Sequence, residues 1–491
     1  MHRQETSNAV GKSATTRQSA HRARLARQLE NARQLKTKIA TASGIARSGR
    51  THTARRFGSL LSAVALALVF AGCAYTLVSG GRVNQKQSEK IEAGIQDLRQ
   101  LRFKKPVPLV LKSKDEAGAM IEADLMRDYT DNRLQVDGIA GAVTGLYPSG
   151  IDLKAQTLKL MKSQVAGFYD PRGKQMVLVE GGADLGFWND AAEFMVQRDV
   201  GGEILLAHEL THALQDQNFD LESSLDKVKD DDDRSLALKS VAEGDATLAG
   251  FAYAAGGMDD STANMLVANL KDLPKLLAAQ APNTPIGVSA PLLFQYSEGV
   301  SFVAEAYRRG GWTAVDALYR KPPESSQQIL HPALYFDNPA PAPRITLAGY
   351  ERIMAGWKKV EDDTFGELLL RVILERNLGV QSFEIGLASR WIADRMIVQQ
   401  EGRHVNVIWM LAFSDAQSAS HFAVVYTTLL DRLLGDASPH RIDYRANLVL
   451  VVIGQGATYF DDLAPAIWKA SSISQATATA HIDSSAASGA Q

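Results

Sequence analysis

The chain of 491 residues has a single cysteine, Cys73, so it can form neither an intrachain disulfide nor a thiolate zinc cluster. Any metal it holds must rest on histidines and carboxylates. It also lacks an overall excess of either charge: 53 Lys and Arg stand against 55 Asp and Glu, which argues against nucleic acid as a partner. No internal repeat is found. Disorder throughout and collagen-like periodicity are excluded by composition, because 45% of residues are hydrophobic and 22% charged, enough for a packed core. The length leads us to expect two domains.

The neutral total conceals an asymmetry. Residues 1–58 carry 13 basic side chains against Glu5 and Glu30, a net of +11, and the remainder carries −13. This basic extension, with little apolar periodicity, is expected to stay unfolded or to lie on an anionic membrane surface. Ser59–Val78 (SLLSAVALALVFAGCAYTLV) then runs 20 residues without a charge, between Arg55-Arg56 and Arg82, and reads as a signal or membrane-anchor segment. Within it, Phe70-Ala71-Gly72-Cys73 resembles the lipobox of bacterial lipoproteins, which implies lipidation at Cys73. A retained single-pass helix is the alternative. Either anchor places the rest of the chain outside the cytoplasm, tethered to a membrane of the cell envelope.

Apolar spacing predicts helices over 85–103, 114–129, 153–162, 201–217, 235–255, 297–319, 364–377 and 415–434. Residues 165–180 read as a hairpin turning at Asp170-Pro-Arg-Gly173, and further strands are expected near 395–400, 405–412 and 448–453. The acidic run Asp226–Arg234 reads as a solvated loop, since its spacing lacks the glycine of an EF-hand. The Ser- and Ala-rich end, 470–491, reads as a disordered tail.

One constellation carries chemistry. His208-Glu209-Leu210-Thr211-His212 sets two imidazoles at i and i+4 on one face of a helix, where both can reach one zinc ion. Glu209 is placed to act as general base and then general acid on a zinc-activated water. Three protein ligands leave a fourth position for water, so a third is expected downstream, and Glu243 on the next long helix is the candidate. Asp245, two residues on and hence on another side of that helix, is its rival. An oxyanion donor is also needed, for which Tyr296 and His331 are candidates. Asp216, one turn after His212, reads as an orienter of a ligand imidazole or as a helix cap. His404, His421 and His440 read as ordinary surface or packing histidines.

The string His208–Asp216 (HELTHALQD) closely resembles the thermolysin-like gluzincins, with two histidines, a glutamate and a following aspartate. That resemblance implies an α+β fold, zincin-like: an edge-strand hairpin at Gln175–Glu180 pairing with an extended peptide, the active-site helix, and a second ligand helix. Thirty-one positions separate His212 from Glu243, longer than in thermolysin itself. Residues 90–455 further resemble a group of uncharacterised exported bacterial proteins regarded as zinc metallopeptidases. The shared pieces are Leu98–Phe103 (LRQLRF) with Pro106 and Pro108, Ala166–Pro171 (AGFYDP), HELTHALQDQ, Glu243–Ala246 (EGDA), Gly310–Asp316 (GGWTAVD), Gln328–Pro332 (QILHP) and Trp391–Arg395 (WIADR).

The organisation expected is a basic extension (1–58), the anchor segment (59–78), a zincin-like peptidase domain (85–345), a C-terminal α/β region (349–461) and the tail. The function expected is hydrolysis of peptide bonds in a peptide or protein substrate, with one Zn2+ per chain. A zinc hydrolase of a non-peptide amide or ester, and a non-catalytic envelope scaffold or binding protein, are the alternatives.

Overall fold

A computed structural model of the chain describes residues 78–79, 82–163, 166–180, 201–270, 283–475 and 478–481. The basic extension, Cys73 and all of the anchor segment except Val78 lie outside those residues. Among the described residues no helix is long and apolar enough to cross a membrane.

The first three helices begin where a side chain can accept from their first free amides. Asn84 caps α1 (Gln85–Arg99), Ser113 and Glu116 form a reciprocal capping box on α2 (Lys114–Asp128), and Thr130 caps α3 (Asp131–Val143). Helix α4 (Leu153–Ser163) precedes the hairpin. Helices α5 (Gly201–Phe219), α6 (Asp232–Ala255) and α7 (Ile286–Arg320) then pack side by side. The acidic run departs from a solvated loop at its C-terminal end. Asp231 accepts from the Arg234 amide as the cap of α6, and buried Asp233 accepts from the Ser326 amide, because carboxylates satisfy helix-end N–H groups. Helix α7 kinks at Gly310 and Gly311, the latter at φ +62°.

A three-stranded sheet lies against α5. Its order is β1 (Leu109–Lys112), β3 (Gln175–Val179), β2 (Gly167–Asp170), with β1 parallel and β2 antiparallel to the central β3. This corrects the expectation that Gln175–Glu180 is the edge. The short apolar strand LVLK, between Pro108 and the Ser113 cap, covers its outer side, so among the described residues the edge beside α5 is β2.

Beyond β4 (Arg344–Thr346), an antiparallel five-stranded sheet contains β5 (Lys358–Asp363), β6 (Trp391–Glu401), β7 (His404–Phe413), β8 (His440–Arg445) and β9 (Leu448–Ile453), in the order β8-β9-β7-β6-β5. Its strands alternate between two cores. Val407, Trp409 and Leu411 face α3, α9 (Gly366–Leu378) and α10 (Ala416–Leu434), while Ile408, Met410 and Ala412 face α11 (Phe460–Ala470). Helix α8 (Ser326–Leu330) bridges towards α9. Two features cross the boundary expected near 349: Val136 and Ala140 of α3 enter the core of this sheet, and β10 (Ser472–Gln475) pairs with β4. The segment read as a tail therefore opens with a strand. All described residues fall within one unit, Thr76–Gln491, mixed α+β in class.

Glycines set the spacing of the three central helices. A Cβ on Gly244 would lie 2.4 Å from the Gly299 carbonyl oxygen, one on Gly299 2.4 Å from the Ser240 oxygen, and one on Gly250 3.0 Å from the Ile204 oxygen. Helix α6 is thus held at backbone contact with α7 on one side and α5 on the other. Gly244→Ala should destabilise the fold by about 3 kcal/mol, because backbone cannot yield as a rotamer can. Gly386→Ala, where a Cβ meets nothing within 4 Å, should change it by less than about 1 kcal/mol. Urea denaturation of both variants measures the contrast, and equal effects would contradict the close approach.

Candidate metal centre

Helix α5 is buried on nearly every side. Leu205, Leu206, Leu210, Ala213 and Leu214 pack into the core shared with α1, α6 and α7, and His208 is 1% exposed. The two imidazoles, one turn apart, meet edge-on with ring centroids 4.7 Å apart and Nε2 atoms 3.1 Å apart. Across from them α6 presents Glu243, with Oε2 3.3 Å from His208 Nε2 and Oε1 3.5 Å from His212 Nε2. All three donors lie within 4.8 Å of one another.

These residues fit a zinc ion. Donors about 2.0–2.1 Å from a tetrahedral ion stand about 3.3–3.4 Å apart, close to the three separations found here. Their charges also converge on one point. Burial would lower the pKa of His212, but the Glu243 carboxylate outweighs it and holds the imidazole up at about 9. Burial likewise opposes the Glu243 charge, yet His212 and then His208 hold that carboxyl well below the usual range. The space between the donors favours positive charge, whether a proton or a metal ion supplies it.

Glu209 sits beside the triad without joining it. Its Oε1 is 4.0 Å from His208 Nε2, and Oε2 accepts from the backbone N–H of Tyr169 on β2 at 2.8 Å. Burial raises its pKa, against the lowering effect of the two histidines. Tyr296, on α7, lies over His208 with ring centroids 6.2 Å apart and planes 23° apart, and its hydroxyl hydrogen-bonds Glu243. Burial, then Glu243, keeps that phenol protonated well above its usual pKa.

Three other expected residues lie elsewhere. Asp245 is not among the converging donors: it is wholly buried, with Arg99, Tyr319 and Gln215 in contact with it. Asp216 neither orients an imidazole nor caps α5. It accepts from the Tyr169 hydroxyl and from Lys174 Nζ, both at 2.8 Å, which ties the end of the helix to the hairpin. His331 pairs with Glu367 on α9, Nε2 to Oε1 2.9 Å, and does not join the triad. His421 and His440 pair with Glu384 and Asp431.

Sequence reasoning missed three contacts to the site. The Tyr169 amide on Glu209 left no sequence signal, since every non-proline residue carries that donor. Gln215, three residues after His212, accepts from its Nδ1 at 2.9 Å, a spacing that could have been read from the helix. Thr247 Oγ1 lies 3.4 Å from His208 Nδ1, one turn after Glu243. Comparison with protein-family models, curated proteins and solved structures gave no match for this chain.

The geometry sorts these side chains by their effect on metal affinity. Loss of a ligand in His208→Ala or Glu243→Gln should weaken zinc binding by more than the roughly 10–100-fold typical of an outer partner. Asp216→Asn should leave it unchanged. A chelator-competition titration checks this, and an Asp216→Asn loss equal to that of Glu243→Gln would overturn the assignment.

Proposed function

We propose that this chain is a zinc-dependent peptidase, exported and membrane-tethered through its N-terminal segment. The observation that carries this reading is the convergence of His208, His212 and Glu243 on one point, with the carboxylate of Glu209 beside it and outside the ligand set. When bound, zinc would supply Lewis-acid polarisation of a carbonyl and acidify a water molecule.

The chain's own residues supply the rest. Glu209 is held at Oε2 by the Tyr169 amide, which leaves Oε1 on the side of His208 to accept a proton from the attacking water. Its raised pKa suits a group that must take that proton and then give it to the leaving amine. Tyr296, protonated at neutral pH, would turn its single O–H from Glu243 to the negative charge developing on the carbonyl oxygen. Among the described residues no strand pairs with the outer edge of β2, which runs beside Glu209 at Tyr169, so an extended peptide adding to that edge would bring its backbone to the base.

The test compares wild type with Glu209→Gln on unfolded casein, with zinc content measured in both. Glu209→Gln should keep one zinc per chain and lose about 10²–10⁴-fold in rate. Cleavage at the wild-type rate would remove Glu209 from its role. Zinc-loaded wild type that spares casein but hydrolyses small esters would replace the peptidase reading with that of a non-peptide hydrolase.

A further inference from the structure

The metal ligand His212 is backed by a buried polar chain that ends at Arg99, 113 positions earlier in the sequence. Its Nδ1 meets Gln215 Oε1 at 2.9 Å, and Gln215 Nε2 donates to the Ala242 carbonyl at 2.9 Å and to Asp245 Oδ2 at 3.1 Å. Asp245 is gripped in turn by Arg99, Nε to Oδ1 2.8 Å and Nη2 to Oδ2 3.1 Å, and by the Tyr319 hydroxyl at 2.8 Å. Arg99 has a second carboxylate, Asp316, at 2.9 Å, and lies 4.3 Å from the ring centre of Trp312. Gln215, Asp245 and Arg99 are each 0% exposed.

From this chain we infer that Arg99, Asp245 and Gln215 are positioning residues that fix the tautomer and direction of His212, and that zinc affinity depends on them. The inference rests on the metal-centre reading above. A glutamine amide can normally present either end. Here both donors of Nε2 are used by acceptors, a carbonyl and a carboxylate. A flip would set the amide oxygen against both of them and turn NH2 towards His212. The acceptor end therefore faces Nδ1, and because an amide oxygen can only accept, Nδ1 must carry a hydrogen. The Nε2 lone pair is then the one aimed at Glu243 and His208. Asp245 accepts from the amide at Oδ2 while Oδ1 faces Arg99, and a buried carboxylate is stable only beside a paired cation. Arg99 supplies it, with Trp312 stacked against the guanidinium.

The test uses the full-length protein loaded with zinc, and reads two quantities: the zinc dissociation constant by chelator competition and the ¹⁵N shifts of the imidazoles. Wild type should show His212 protonated at Nδ1 and coordinated through Nε2. Gln215→Leu should weaken zinc binding about 10–100-fold and remove that single-tautomer signature. Asp245→Asn, close in shape but free to let the amide flip, should do the same to a smaller degree, and it serves if Gln215→Leu fails to fold. Wild-type affinity and an unchanged Nδ1–H signal in a folded variant would overturn the positioning role alone. Failure of wild type to bind zinc would overturn the metal centre itself.

Discussion

The backbone-to-backbone approach of α6 to its two neighbours is the constraint on which the site depends. Glu243 precedes Gly244, the residue at which α6 meets the Gly299 backbone of α7, and Gly250 lets the other flank of α6 approach the turn of α5 that carries His208. A methyl group at either glycine would push the helices apart by more than the slack in a ligand set whose separations span 3.1–3.5 Å. Tyr296 lies one turn before Gly299, so the same contact sets its ring over His208. The convergence of the three candidate ligands is thus a consequence of helix spacing as much as of residue identity.

Several motifs that look functional in the sequence are fasteners around that site. Arg99 from LRQLRF, Asp245 from EGDA, and Trp312 and Asp316 from GGWTAVD form one buried cluster although they are far apart in the chain. Asp394 from WIADR accepts from the amides of Phe365 and Gly366 and from the indoles of Trp391 and Trp409, which pins the start of α9 to the five-stranded sheet. Tyr169 from AGFYDP holds Glu209 with its backbone and Asp216 with its hydroxyl. A buried charge held by several partners favours one arrangement, because losing one partner strands the others.

What was legible in the sequence follows from range. Helices with strong caps and apolar stripes, and the two imidazoles one turn apart, depend on residues within a few positions and could be read. Strand LVLK is too short, α3 too poor in large apolar residues, and β8 (HRIDYR) too polar for periodicity to expose them. Glu243 was a candidate by its place on the next long helix, and what separates it from Asp245 is that Arg99 and Tyr319, 146 and 74 residues from Asp245, hold the latter. The edge strand was misplaced by one partner because parallel pairing of β1 with β3 is a long-range choice. Residues 1–58 and Cys73, on which the expectation of export and tethering rests, lie outside the described residues.

The central claim is that one metal ion is held by two imidazoles and a carboxylate contributed by adjacent helices. X-ray absorption at the zinc edge of the protein loaded with one equivalent tests it most directly. The account predicts imidazole scattering from two histidines and a carboxylate oxygen, at about 2.0–2.2 Å from zinc, with one imidazole lost in His212→Ala. A spectrum without imidazole scattering, or one that His212→Ala leaves unchanged, would contradict it.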